Sequence, residues 1–325
     1  MGSRSSDSDG QGRGLFTPVS LFDGFDPDVS GSYENTLDFQ TYLRTRRSST
    51  AAARLEWAEQ DAAVTEGRDS FVGERRCIAI MGGHRVRRDS STYASVARLA
   101  RALARAGVIV TSGGGPGAME AAHLGAAVAQ RHDDTLGQAI TQLARVPEFP
   151  SGMTGIVDAS GVVNSELLAA LHQWQAPAFA LLGELAEDGT LASSLSIPTW
   201  FYGHEPPTPF ATSIAKYVSN ALREDGLLAI ARSGVVYAPG NAGTLQEVFQ
   251  DAAQNAYRTQ RWFSPMCFLD VPFEGTDRWW TKRFPIETFL RPLFGDADYE
   301  SYVLVSPDVD ETSAFLARFT PPSIN

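Results

Sequence analysis

Two glycine-rich segments carry most of the chemistry open to this chain. One is Gly113-Gly114-Gly115-Pro116-Gly117. The other is Gly240-Asn241-Ala242-Gly243, preceded by Pro239 and followed by Thr244. Each follows an apolar run that reads as a strand and precedes a segment that reads as a helix. Such a turn brings bare backbone N–H groups toward one point beside the positive end of a helix, which suits phosphate. A third turn, Gly82-Gly83, follows another apolar run and leads into His84. Glu247 lies one helical turn beyond Thr244, where a carboxylate would face a ligand held by the second segment. Thr244-Leu245-Gln246-Glu247 also has the spacing of a capping box, in which both side chains satisfy the first amides of their own helix. On spacing alone Glu247 is open to either role.

Other phosphate and cofactor chemistries fit less well. A P-loop requires Gly-Lys-Ser/Thr, and the chain has no such tripeptide. Gly113, Gly115 and Ala118 have the spacing of a dinucleotide fingerprint, with Asp133 and Asp134 downstream. That acidic pair follows Gln130-Arg131-His132 rather than an apolar strand end, and the turn follows the second strand, so NAD or FAD is not expected. A Schiff-base lysine would have to be Lys216 or Lys282, the only lysines present. Lys216 has no phosphate-binding context, and Lys282 lies in an aromatic-rich tail. Cys77 and Cys267 each sit inside an apolar run and read as buried thiols. Without clustered histidines they offer no zinc site, and neither a metal nor a cofactor is expected.

Alternating strands and helices must hold these turns. Strands are expected at Cys77–Met81, Val108–Thr111, Ser196–Tyr202, Val235–Ala238 and Met266–Leu269. Helices are expected after Gly83, over Ala118–Gln130, over one or two segments of Ser213–Arg232, and over Thr244–Ala256. Residues 133–195 read as helical with breaks at Pro147, Pro150, Pro177 and Gly189, and the stretch holding Trp279, Trp280, Phe284 and Phe289 reads as helical cover. The fold class is α/β, Rossmann-like, with a mostly parallel sheet and helices on both faces, over residues 71–325. Residues 1–70 divide into a Gly/Ser-rich stretch to residue 14, expected to be disordered, and a surface arm with a helix from Ala51. In such sheets ligands bind beyond the carboxyl ends of the strands, so all three glycine turns should line one edge.

The chain has 325 residues, with 27 Lys+Arg against 38 Asp+Glu for a net charge of −11, and 43% hydrophobic residues. That composition suits a globular domain with a large core. The acidic balance argues against a nonspecific nucleic-acid binder, which needs a basic face. No apolar run of about 18 residues suggests a membrane span. The stretch from Met1 to Ser6 leads into no apolar segment of a secretory signal. The expectation is a cytoplasmic protein with neither nucleic acid nor membrane as partner.

On the segments Ser112–Ala122 and Pro239–Glu247 the chain resembles the Lonely Guy (LOG) family of phosphoribohydrolases. It is also similar to the larger bacterial nucleoside 5′-monophosphate nucleosidases, and relatives of both carry a historical lysine decarboxylase label. The second segment corresponds to the family's Pro-Gly-Gly-x-Gly-Thr-x-x-Glu, and the similarity covers residues 77–257. The resemblance implies a homodimer that hydrolyses the N-glycosidic bond of a nucleoside 5′-monophosphate to free base and ribose 5-phosphate. It implies that Gly240, Asn241, Ala242, Gly243 and Thr244 hold the 5′-phosphate and that Glu247 is the catalytic carboxylate. Gly113 to Gly117, with Met119 and Glu120, would line the nucleotide site. Gly82, Gly83 and His84, and Glu205 before Pro206-Pro207, are further candidates, each weighed against a plain surface role.

Two positions depart from the family pattern. Asn241 replaces its second glycine; asparagine tolerates a left-handed backbone, and its side chain would enter the pocket. The family's arginine, about fifteen residues before the Pro-Gly, maps near Glu224, with Arg223 beside it as either the catalytic arginine or a solvated helix residue. Proteins similar to molybdenum-cofactor carriers share the fold and the turns. The alternative is therefore a non-catalytic nucleotide or cofactor binder.

Overall fold

The computed structural model describes residues 14–47, 50–187, 189, 191–201 and 204–321. Most of the stretch expected to be disordered, residues 1–13, lies outside the described residues. Among the described residues seven strands form one sheet: β1 (Cys77–Met81), β2 (Ile109–Ser112), β3 (Ser194–Ser196), β4 (Ser213–Ile214), β5 (Val235–Tyr237), β6 (Met266–Leu269) and β7 (Val303–Ser306). Every pairing is parallel and the order is β4-β3-β2-β1-β5-β6-β7. Strands β1, β2, β5 and β6 are buried at every residue, as a sheet covered on both faces requires. The chain builds outward from β1 to β4 and then returns to place β5 on the other side of β1. That reversal opens a crevice between the carboxyl ends of β1 and β5.

The long helices are α2 (Leu37–Arg47), α3 (Ala51–Val72), α4 (Ser91–Arg105), α5 (Ala118–Ala127), α6 (Asp133–Leu143), α7 (Ser165–Glu187), α8 (Asn220–Ile230) and α9 (Ala242–Ala256). They follow the short α1 (Pro18–Leu21). Three more, α10 (Glu287–Phe294), α11 (Asp296–Tyr302) and α12 (Val309–Ala317), complete the chain. Two apolar clusters fill the opposite faces of the sheet, one around α4, α5 and α12 and one around α8, α9, Trp279 and Trp280. Among the described residues no helix is long and apolar enough to cross a membrane.

Several boundaries differ from expectation for identifiable reasons. Pro177 lies inside α7 rather than breaking it. A proline removes one helical hydrogen bond, and burial of Leu171, Trp174, Ala178, Leu181 and Leu185 along one side holds the 23-residue helix together. The strand expected at Ser196–Tyr202 is instead Ser194–Ser196, ending two residues before Pro198. Ser213–Arg232 is not helical throughout: it opens with the two-residue strand β4 before α8 begins at Asn220. The C-terminal cover contains the strand β7. Helix α9 begins at Ala242, two residues earlier than expected.

The arm is part of the packed body. Phe16 forms an antiparallel bridge with Ile214, exchanging two hydrogen bonds of 2.8 Å, so it closes the edge of β4. Leu21, Phe22, Tyr33, Phe39 and Tyr42 then bury against Leu171, Trp174, Trp200 and Ile214.

On the opposite face α4 and α5 touch backbone to backbone. A Cβ on Gly125 would stand 2.0 Å from the carbonyl oxygen of Ala97. Gly125→Ala gains about 1 kcal/mol of helix propensity, and forcing the helices apart costs about 1–3 kcal/mol. The expected net loss is up to about 2 kcal/mol, read from the urea midpoint at unchanged m-value.

Candidate active site

The glycine turns meet through Gly83. Its N–H donates to the Pro239 carbonyl at 2.9 Å, and its carbonyl accepts from Ala118 N–H at 3.2 Å. A Cβ on Gly117, which has φ +71°, would fall 2.5 Å from the Gly83 oxygen; a Cβ on Gly240 would fall 2.9 Å from the Gly83 nitrogen. Glycine is required where three strand-to-helix turns are laced this closely. All three turns sit on the edge the topology indicates, around a cleft of about 1480 Å³.

The second turn presents backbone amides of the kind that suit an anion. Helix α9 has Asn241 at its N-cap with no side-chain cap, and its first intrahelical bond runs from Leu245 N–H to the Asn241 carbonyl at 3.0 Å. The amides of Ala242, Gly243 and Thr244 therefore have no helical partner at the positive end of a four-turn helix. Asn241, Ala242, Gly243 and Thr244 line the cleft. Gly240 lies beneath them: the Thr244 hydroxyl stands 2.1 Å from where its Cβ would be, and its carbonyl accepts from Trp279 Nε1 at 3.1 Å. Asn241 needs no left-handed backbone, since its φ is −103°, and its side chain donates to Glu274 Oε1 at 3.3 Å across the cleft mouth.

The capping box does not form. With α9 starting at Ala242, Thr244 already sits inside the first turn, and Glu247 has no helix end to close. Its Oε1 accepts from Arg223 Nη1 at 3.1 Å, with side chains 13% and 10% exposed. Burial raises the Glu247 carboxyl pKa above its usual range, Arg223 opposes the shift, and neighbouring Glu224 adds to it.

Arg223 is no solvated helix residue. Its Nε donates to the Ile197 carbonyl at 2.9 Å, and its Nη2 lies 2.0 Å from the position a Cβ on Gly113 would occupy. Helix α8 is aimed by Asp61 on α3, whose carboxylate accepts from the amides of Val218 and Ser219 at 2.7 and 2.9 Å.

The remaining candidates divide. Gly82, Gly83, His84, Gly113, Gly115, Met119 and Glu205 line the cleft. Gly114, Pro116 and Gly117 are buried behind it, with Gly114 packed on Ser196 and Gly117 on Gly83. Glu120 does not line the cleft. It is fully buried, accepts two hydrogen bonds from Arg88, at 2.9 Å from Nε and 3.0 Å from Nη2, and one from Tyr93 at 2.9 Å. Met119 takes the cleft position instead, its side chain lying along Gly113 and Gly115.

Lys216 is buried against Asp38 and Trp200, and Lys282 pairs with Asp277 at 2.8 Å; neither lines the cleft. Both cysteines are free and buried. Among the described residues no group of three His, Cys, Asp or Glu is placed to hold a metal ion.

Two walls of the cleft carried no sequence signal of function. One is the stretch 148–154 with Phe149, and the other is the turn at 272–277 with Glu274. Their sequences offer only prolines and glycines, which mark turns without saying what the turns face.

Fold and site together define an α/β protein with a turn of unpartnered helix-start amides and a carboxylate–arginine pair, each 13% exposed or less, at the switch point of its sheet. No protein-family model matches the chain, and no curated protein matches it either.

Proposed function

We propose that the protein is a cytoplasmic nucleoside 5′-monophosphate phosphoribohydrolase of the kind the LOG resemblance implies, acting as a homodimer. It would hydrolyse the N-glycosidic bond to free base and ribose 5-phosphate. The observation that carries the reading is the Glu247 carboxylate, held by Arg223 one helical turn from the three unpartnered amides of α9. Phosphate on those amides fixes the ribose at one end. Glu247 then stabilises the positive charge that develops at C1′ and orients the attacking water. Binding energy gained at the phosphate, remote from the breaking bond, becomes positioning.

The test is incubation with AMP, GMP, CMP, UMP and their deoxy forms, followed by measurement of released base. Release that vanishes in Glu247→Ala and persists in Gln250→Ala, a substitution that follows Glu247 on α9 outside the cleft, supports the reading. Tight nucleotide binding without release selects the non-catalytic alternative. Sedimentation of the pure protein reads the homodimer.

Gly113→Ala separates the site from the fold. The new Cβ meets the far ends of two flexible side chains, Arg223 Nη2 at 2.0 Å and Met119 Sδ at 2.8 Å, and no backbone atom. The side chains yield and the guanidinium leaves Glu247. Base release is expected to fall about 100-fold, with a melting temperature close to that of the wild type.

A further inference from the structure

Glu205 is another of the carboxylates that line the cleft, and it sits on a loop tied down on both sides. Its neighbours on both sides are fixed. His204 is buried, shares a 2.6 Å hydrogen bond with Tyr33 Oη and packs edge-on to Phe39. Pro206 and Pro207 are buried, and Thr208 N–H donates to the Gly114 carbonyl at 2.7 Å, tying the loop to the first glycine turn. Glu205 alone points into the cleft from this stretch.

Its carboxylate lies across that turn from the Arg223–Glu247 pair. Oε2 is 3.3 Å from where a Cβ on Gly115 would be, while Arg223 lies against the same position on Gly113. Two residues of chain span at most about 7 Å. Arg223 and Glu205 therefore approach the same short turn, and the Glu205 and Glu247 carboxylates line one cleft, as a pair of glycoside-cleaving acids must.

We infer that Glu205 is the acid that protonates the departing base in the reaction proposed above, and the inference rests on that reading. In its protonated form Glu205 gives its proton to a ring nitrogen of the base as the C1′–N bond breaks and the bonding pair leaves with the base. Water adds at C1′ and loses a proton to Glu247. Glu247 then releases that proton to solvent and Glu205 takes one up, which closes the cycle.

The charged groups facing Glu205 are His84, whose Nδ1 is 3.6 Å from Oε1, together with Arg223 and Lys216. Burial raises the Glu205 pKa, and these three oppose the shift, His84 most. Activity on a natural nucleotide therefore falls as pH rises through the raised Glu205 value.

The experiment compares AMP with 4-nitrophenyl β-D-ribofuranoside 5-phosphate, whose leaving group needs no proton. In Glu205→Gln, release of adenine is expected to fall at least about 100-fold, nitrophenolate release to change little, and the alkaline limb of the AMP profile to disappear. His84→Asn removes a charge that favours ionised Glu205 and should move that limb to higher pH. Equal losses on both substrates, or unimpaired adenine release, overturn the acid role while leaving the hydrolase intact. Wild-type protein that cleaves neither substrate overturns the hydrolase reading and the acid with it. If Glu205→Gln fails to fold, Glu205→Asp decides: a nitrophenyl-to-AMP rate ratio above wild type supports the acid, and an unchanged ratio overturns it.

Discussion

Glu247→Gln is expected to lower base release about 1000-fold while leaving nucleotide binding nearly intact. Glutamine keeps the length and planarity of the side chain and can still meet Arg223, so packing around α9 changes little. On the proposed mechanism, what it removes is the negative charge beside C1′ and the group that takes the proton from water. Both matter only as the glycosidic bond breaks, so the loss falls on kcat and spares KM.

The pH dependence follows from the same residue. Burial raises the Glu247 pKa and the Arg223 pair opposes it. The required form is the ionised one, so activity is lost as pH falls through that raised value. Arg223→Gln removes the opposing charge and should move this acid limb toward neutrality. Calorimetric titration of the preferred nucleotide into Glu247→Gln, beside single-turnover base release, measures the two effects separately. Substantial release from Glu247→Gln would remove this residue from the mechanism.

The central strands were readable because of where they lie. Cys77-Ile78-Ala79-Ile80-Met81 and Met266-Cys267-Phe268-Leu269 are buried on both faces, so their apolar runs are continuous and their ends sharp. Strands β3 and β4 carry no such run. Ser194 and Ser196 flank a single leucine, and Ser194 is satisfied by hydrogen bonds to His123 and Thr212 that only the folded chain provides. Two or three residues with serines among them give no period to detect.

The site divides along a similar line. Glycine turns announce a backbone geometry, and all three gather on one edge of the sheet. A motif position does not announce the direction of a side chain. Met119 and Glu120 are adjacent at the start of α5, yet the first faces the cleft and the second turns away to Arg88 and Tyr93. Arg223 was ambiguous for another reason: its role depends on Gly113, Ile197 and Glu247, which reach it from three other parts of the chain.

Asp38→Ala is expected to cost about 3–5 kcal/mol of stability. Asp38 is fully buried on α2. It accepts from Tyr33 Oη at 3.0 Å and Trp200 Nε1 at 3.1 Å, and it forms an ion pair with Lys216, which is itself 1% exposed. Removing the carboxylate strands an ammonium group where water does not reach, leaves Trp200 Nε1 without its acceptor and leaves Tyr33 Oη with only its His204 partner. Burial lowers the Lys216 pKa, and Asp38 is the main group opposing that shift.

In the variant the Lys216 pKa falls further, so between the native and unfolded values the unfolded chain binds more protons. Stability rises with pH across that window. The deficit relative to wild type should therefore shrink as pH rises from the variant's lowered lysine value to the wild-type one, which burial holds below the unfolded value of about 10.4. Urea unfolding of wild type and variant at pH 7 and pH 9.5 measures both quantities; a deficit that does not change with pH would show that the lost packing and hydrogen bonds, not the stranded charge, set the cost. The consequence reaches the cleft, because His204 contacts Asp38 at 3.6 Å and precedes Glu205 directly. A segment that looked like a surface appendage thus holds one wall of the candidate active site, and truncating it should remove base release together with stability.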